Sequence, residues 1–306
     1  MPDFSKYPLV ETEWLAEHLD DPDLRVVDVR WRGDDSGRQQ YLAGHIPGAA
    51  HLDWHLDLNH TLGRLRDMIL PPDPFAEAMV GAGIGDETKV VAYAETDHSG
   101  AARLWWALRY YGHDQAAVLN GGVTKWKAEG RPLSTDLPQL PPARFTPRPT
   151  LRWLATAAEI ESALEDPRTN VCLVDARPPE QYAGRAIWTA NGSLYFPAGQ
   201  HWMDVGGQEM RAGHIPGAVH LHASLNLDPQ DWTYLEPEAL RARAQTAGVR
   251  PDQRVITYCG VGISASLALF ALHLAGFQDL ALYDGSWEEW GTDPERPSEL
   301  SAPYPD

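Results

Sequence analysis

The sequence predicts an α/β protein made of two tandem domains, each a mostly parallel sheet with helices on both faces. Two observations carry this. Short β-branched runs alternate with helical segments, and the whole alternating pattern is written twice along 306 residues. Strands alternating with helices imply βα units, and the crossover helices cover both faces of the sheet they connect.

In the first half, a helix over 13–19 precedes a strand over 25–30, and a helix over 75–81 precedes a strand over 90–93. A helix over 101–111 and a strand over 117–119 follow. The second half repeats the order. Arg25-Val-Val-Asp-Val-Arg30 recurs as Cys172-Leu-Val-Asp-Ala-Arg177, and Gly44-His-Ile-Pro-Gly-Ala49 as Gly213-His-Ile-Pro-Gly-Ala218. Lys89-Val-Val-Ala-Tyr-Ala94 matches Arg254-Val-Ile-Thr-Tyr-Cys259, and Val118-Leu-Asn-Gly-Gly122 matches Leu282-Tyr-Asp-Gly-Ser286. Matches in one order over this length identify a tandem duplication. Between the copies, residues 133–150 carry five prolines and no apolar periodicity, an extended connector. The expected domains are therefore 5–135 and 151–300, with a Pro-rich linker over 136–150.

Composition narrows the function. A net charge of −18 disfavours nucleic acid and anionic membranes as partners. No stretch approaches the roughly 18 apolar residues of a membrane span, and the N-terminus lacks a basic segment followed by an apolar run. Two cysteines cannot make a disulfide framework, so a reducing compartment, the cytoplasm, is expected.

One of those cysteines ends an apolar strand in Val255-Ile-Thr-Tyr-Cys-Gly-Val-Gly-Ile-Ser264, where a glycine-rich turn runs straight into a helix. In parallel α/β sheets, ligands bind beyond the carboxyl ends of the strands, where Asp28, Asp175 and Cys259 all fall. Backbone N–H groups and a helix N-terminus favour the thiolate, which is the nucleophile. Cys172 lies inside an apolar strand, where burial is its expected role.

Together, the paired Val-Asp-x-Arg strand ends, the repeated Gly-His-Ile-Pro-Gly-Ala, the strand-ending cysteine loop and Asp284-Gly-Ser-x-x-x-Trp290 resemble the rhodanese family over both halves. The resemblance implies a sulfurtransferase working in two displacements. Cys259 takes a sulfane sulfur from a small anionic donor, thiosulfate or 3-mercaptopyruvate, becomes a persulfide, and passes it to cyanide or a thiol. It implies that the N–H groups of Gly260, Val261, Gly262, Ile263 and Ser264 cradle the persulfide, with no cofactor and no metal. It also places Arg177 and Arg185 as anion-binding candidates and Trp31 as a cleft-facing aromatic. Arg177 has a second reading, as an ion-pair anchor for Asp175.

In the first half, Ala94 occupies the cysteine position, so that domain is expected to be catalytically silent and to form one wall of the cleft. His98 and Ser99 beside it read as loop residues. The donor stays open. The loop lacks the basic residues of thiosulfate enzymes and carries Val261 where mercaptopyruvate enzymes have serine. At a position where relatives use a substrate-contacting arginine, this chain has Gln181. Thiosulfate sulfurtransferase is the default label; a mercaptopyruvate enzyme and a non-catalytic regulatory or sulfur-carrier module are the alternatives. A phosphatase is disfavoured because Ser264-Ala-Ser266 stands where a phosphate-holding arginine is needed. The segment 185–212 is much longer than its counterpart and suggests a lid. His51, His55 and His60 read as a structural cluster. Two domains enclosing one cleft make a monomer the simplest expectation.

Overall fold

The computed structural model describes residues 2–31, 36–166, 168–189, 192–205 and 207–301. The chain divides into two compact units. One comprises Met1–His60, Ile69–Leu151 and Leu227–Leu235; the other comprises Thr61–Met68, Arg152–Asn226 and Glu236–Asp306.

The first half contains β1 (Leu9–Val10), α1 (Thr12–His18), β2 (Leu24–Asp28), α2 (Ser36–Ala43), β3 (Ala50–His51), α3 (Trp54–Asp57), β4 (Asn59–Leu62), β5 (Leu65–Ile69), α4 (Pro72–Gly81), β6 (Lys89–Tyr93), α5 (Ser99–Tyr110), β7 (Ala116–Leu119) and α6 (Gly122–Ala128). Its sheet has the order β1-β7-β6-β2-β3, with every pair parallel.

The second half contains β8 (Leu154–Ala155), α7 (Ala157–Glu165), β9 (Val171–Asp175), α8 (Pro179–Tyr182), β10 (Ala186–Thr189), β11 (Gly192–Tyr195), β12 (Trp202–Asp204), β13 (Glu209–Arg211), β14 (Val219–His220), α9 (Pro237–Thr246), β15 (Arg254–Tyr258), α10 (Ile263–Leu274), β16 (Leu280–Tyr283) and α11 (Ser286–Trp290). Its sheet, β14-β9-β15-β16-β8, is also parallel throughout.

Packing follows the pattern of the runs. Ile256 and Leu173 on the second sheet pack with Ile160, Trp287 and Trp290. Val26 and Val91 on the first pack with Leu15, Leu119 and Trp126. Each fully buried aliphatic side chain of this kind contributes about 1.5–3 kcal/mol. The two helices that follow the central strands, α5 and α10, are buried over most of their circumference. Such helices run through a core rather than over it.

Register sets the functional end of each sheet. β2 pairs with β6 so that Asp28 lies beside Tyr93, and β9 pairs with β15 so that Asp175 lies beside Tyr258.

Each compact unit is assembled from separated stretches of the chain. The proline-rich stretch has no ladder of its own, so its backbone groups bond to the first unit. Asp86 N–H donates to Arg144 O, and Arg148 N–H donates to Tyr111 O. Thr61–Met68 and Leu227–Leu235 each group with the unit of the opposite half. The long segment 185–212 is two antiparallel hairpins, β10–β11 and β12–β13.

Candidate active site

Cys259 follows β15 directly and is 1% exposed. Its loop is tied down on its carbonyl side by the first turn of α11. Trp287 N–H donates to Cys259 O and Glu288 N–H to Gly260 O, each at 2.9 Å. Cys259 N–H donates to Ser286 Oγ at 3.1 Å, and that hydroxyl donates onward to Tyr283 O at 2.9 Å.

The N–H groups on the other side stay open. Those of Gly260, Val261, Gly262, Ile263 and Ser264 find no acceptor among the described residues. Gly262 makes this turn possible. With φ at +83°, it caps α10 in the left-handed region that an L-residue reaches only with strain. The Ser264 hydroxyl, half-buried, has no partner among the described residues. A buried loop with five unpaired donors beside a thiol can hold an anion, because unpaired buried donors are costly and a bound anion satisfies several at once.

Ser286 holds the other end. Its φ is +51°, and Gly122, its counterpart in the first half, sits at +56°. Serine carries strain there that glycine does not, on the order of 1–2 kcal/mol. Only the serine offers an oxygen to the cysteine N–H. Strain retained where a smaller residue would relieve it marks a site whose geometry is over-determined by function.

In the equivalent loop of the first unit, one carbonyl keeps the same tie and one N–H is taken by a side chain. Ala94 O accepts from Val123 N–H, and Asp97 Oδ1 accepts from Ser99 N–H at 2.9 Å. His98 is fully buried, with Nε2 2.7 Å from Trp232 O, and burial lowers its pKa.

Beside the Cys259 loop lies a narrow cavity of about 10 Å³, room for roughly one water-sized sphere, lined by Gly260, Val261, Arg177, Gln181, Trp188, Met210, Trp287, Arg66 and Glu288. Trp188, from the hairpin β10–β11, lies so close to Gly260 that a Cβ there would meet Trp188 Cβ at 3.2 Å. Arg66 arrives from the turn side of β5. Its backbone N–H donates to Glu288 Oε2 at 2.6 Å, its Nε donates to Oε1 at 2.5 Å, and its guanidinium stacks 5.2 Å from the Trp188 ring. Burial raises the Glu288 pKa, partly opposed by Arg66. Arg66 and Met210 also line a second, larger cleft with Arg64 and Val205.

Arg177 is 2% exposed and is held to Asp175. Its Nε lies 3.0 Å from both oxygens of Asp175, and Nη2 donates to Asp175 Oδ2 at 2.5 Å and to Gly213 O at 2.7 Å. Burial opposes its charge, but Asp175, with smaller help from Tyr258 and Cys259, raises the pKa overall. Arg30 makes the same set of bonds to Asp28 and Gly44 O in the first unit. This explains the repeated motifs: the Asp-x-Arg fork holds the glycine carbonyl of Gly-His-Ile-Pro-Gly-Ala.

Of the other predicted residues, Arg185 is exposed and outside the cavity lining, and Trp31 belongs to the first unit, packed on Trp54 and His55. Burial pushes the Cys172 thiol up to about 11. Among the described residues, no group of three or more His, Cys, Asp or Glu is arranged to hold a metal ion. None of their helices is long and apolar enough to cross a membrane.

Sequence reading missed Arg66 and Glu288, which lie 222 positions apart. It also passed over Ser286, although the repeat offered a signal: one non-glycine where the first half has Gly122.

The comparisons with known proteins agree with this geometry. The model of the Rhodanese-like domain matches residues 11–129 and 156–293. Sulfur carrier protein TtuD of Thermus thermophilus is 35% identical over 92% of this chain and 93% of that protein. The probable 3-mercaptopyruvate sulfurtransferase of Pseudomonas aeruginosa is 35% identical over 96% and 98%. The crystal structure of SseA from Escherichia coli, described as a 3-mercaptopyruvate sulfotransferase, matches with a TM-score of 0.76 at 28% identity, covering 92% of this chain and 98% of that one. With two such domains and a cysteine loop left open at the end of the second sheet's central strand, the chain belongs to the rhodanese family and is a sulfurtransferase.

Proposed function

We propose that this protein moves a sulfane sulfur from thiosulfate or 3-mercaptopyruvate to cyanide or a thiol through a persulfide on Cys259. Thiosulfate is the default donor. The observation that carries the reading is the run of five N–H groups beside Cys259 with no acceptor among the described residues.

In the first displacement, the Cys259 thiolate attacks the outer sulfur of thiosulfate. The S–S bond of the donor breaks and sulfite leaves with its electron pair. With 3-mercaptopyruvate the C–S bond breaks instead, and the carbon takes the thiol proton to give pyruvate. In the second displacement, the acceptor attacks the outer sulfur of the persulfide and the electron pair returns to Cys259 Sγ. The thiosulfate step requires a thiolate and a held anion rather than a general base. Splitting the transfer between two displacements on one nucleophile is covalent catalysis.

The open N–H groups of Gly260, Val261, Gly262, Ile263 and Ser264 would hold the persulfide anion. Arg177 shapes the site through Asp175, and Arg66 replaces Arg185 as the cation at the cavity. In this reading the silent first unit lacks the nucleophile because Ala94 takes its place, and the protein acts as a monomer in the cytoplasm. Free Cys172 and Cys259 suit a reducing compartment. Relatives named as a sulfur carrier and as a sulfurtransferase fit one shared intermediate.

Incubation with thiosulfate or 3-mercaptopyruvate followed by intact mass spectrometry should add one sulfur atom to the wild type and none to Cys259→Ser. Sulfur on the variant, or none on the wild type with either donor, sinks the mechanism. Comparing kcat/KM for the two donors identifies the preferred one.

A further inference from the structure

We propose that Arg66 and Glu288 form a latch over Cys259, and that the sulfur donor enters only when Arg66 lets go of Glu288. This rests on the persulfide reading above and adds a gate to the same site.

Size makes a gate necessary. Cys259 is 1% exposed, and the cavity beside its loop has about 10 Å³, the room of a single water. Thiosulfate brings two sulfurs and three oxygens, and 3-mercaptopyruvate is larger still. Neither reaches the thiol until a covering group moves.

The covering groups form a closed ring of contacts. Glu288 N–H donates to Gly260 O at 2.9 Å, which fixes Glu288 to the cysteine loop. The Glu288 carboxylate accepts from Arg66 three times, from the backbone N–H at 2.6 Å and from Nε and Nη2 at 2.5 Å each. The Arg66 guanidinium lies 5.2 Å from the centre of the Trp188 ring. Trp188 closes the ring on Gly260, where a Cβ would meet its own Cβ at 3.2 Å.

The weakest link of that ring is the Arg66 side chain. Glu288 is 1% exposed and held through its backbone, whereas the Arg66 side chain is 41% exposed. A long cationic side chain that already reaches solvent can swing out and be hydrated. Trp188 then loses its cover, and its hairpin β10–β11 is a two-stranded sheet of its own, an arrangement with little rigidity alone. What holds the latch shut is Glu288. When Arg66 leaves, a buried carboxylate loses its charged partner, which is costly. Stability does not account for that carboxylate, because burial raises its pKa despite Arg66.

The test times alkylation of Cys259 by iodoacetamide, a neutral probe, in the full-length protein. Peptide mass spectrometry separates Cys259 from the other free thiol, Cys172. Glu288→Gln and Arg66→Gln should each speed Cys259 alkylation about tenfold, the size of one charge-assisted hydrogen bond. The double variant should be no faster than the faster single, since both open one latch. Cys172 should keep its wild-type rate. A mere charge effect on the thiolate gives opposite signs: removing the carboxylate speeds the reaction and removing the guanidinium slows it. Opposite signs, unchanged rates, or a wild-type Cys259 as reactive as free cysteine overturn the latch. A parallel rise at Cys172 reports general loosening and overturns it too. If Glu288→Gln does not fold, Arg66→Gln decides alone, because its expected acceleration opposes the charge effect. Sulfur loading from thiosulfate and 3-mercaptopyruvate is measured by mass on the same samples. A wild type that never loads removes the persulfide reading and leaves the latch to the alkylation rates; loading with unchanged alkylation removes the latch alone.

Discussion

Replacing Arg177 with methionine separates an anchoring role from a substrate-binding one. The guanidinium makes three close contacts with Asp175 and one with Gly213 O, and both charged groups are almost completely buried. Removing it leaves the Asp175 carboxylate uncompensated in the interior, a loss of about 3–5 kcal/mol. In a unit of this size, 1 kcal/mol corresponds to about 2–4 °C, so the second unit's transition should fall by roughly 6–20 °C. Arg30→Met should lower the first unit's transition by a similar amount, because Arg30 lies 3.0 and 2.9 Å from the Asp28 oxygens through Nε and bonds Gly44 O at 2.9 Å. Differential scanning calorimetry reads both transitions, and steady-state kinetics with thiosulfate supplies KM. A pure substrate-binding role predicts the reverse pattern: a raised KM, a melting temperature within about 2 °C of wild type, and no stability effect at Arg30. That result would refute the anchor. Replacing both members, as Asp175→Asn with Arg177→Met, should recover part of the loss, since it removes the unpaired charge.

Two further outcomes follow from the same geometry. Ser286→Ala leaves Cys259 N–H and Tyr283 O unpaired and should cost about 1–3 kcal/mol in urea unfolding. Ser286→Gly should lose about 1 kcal/mol less, because glycine takes φ of +51° without strain; equal losses would remove strain from the account. Glu288 is held above its ordinary value of 4.5 by burial, so it favours folding when protonated. That contribution is complete below about pH 4.5 and fades as pH rises through the folded-state value. Glu288→Gln lacks this titration, so its unfolding free energy relative to wild type should rise over that window; a flat or falling difference contradicts the direction given.

How far the site was legible depends on how its parts are coded. Cys259, Gly260 and Gly262 are adjacent in the chain, and a glycine-rich turn between strand and helix has local signals. The connector 136–150 was recognisable from its prolines, but its packing on the first unit was not. Extended chain takes its hydrogen bonds from whatever backbone lies nearby, and no residue pattern names that neighbour. Segment 185–212 was flagged by length alone. Its hairpin pairing, with Trp188 opposite Ser193, depends on register between short strands of weak alternation.

The sequence by itself determined the duplication, the parallel α/β class, and the place of Cys259 at a strand end where the first half has Ala94, because each is written in contiguous runs and can be compared between the halves. The tertiary structure alone decided that Arg177 is tied to Asp175 and Gly213 O, that Arg185 lies away from the cavity, and that Arg66, Glu288 and Gln181 line it. Those assignments rest on burial and on pairings between residues up to 222 positions apart, where side-chain charge is visible in the sequence but the partner that neutralises it is not. The five open N–H groups around Cys259 belong to both: glycine spacing announces the turn, and only the fold shows which backbone groups it leaves unpaired.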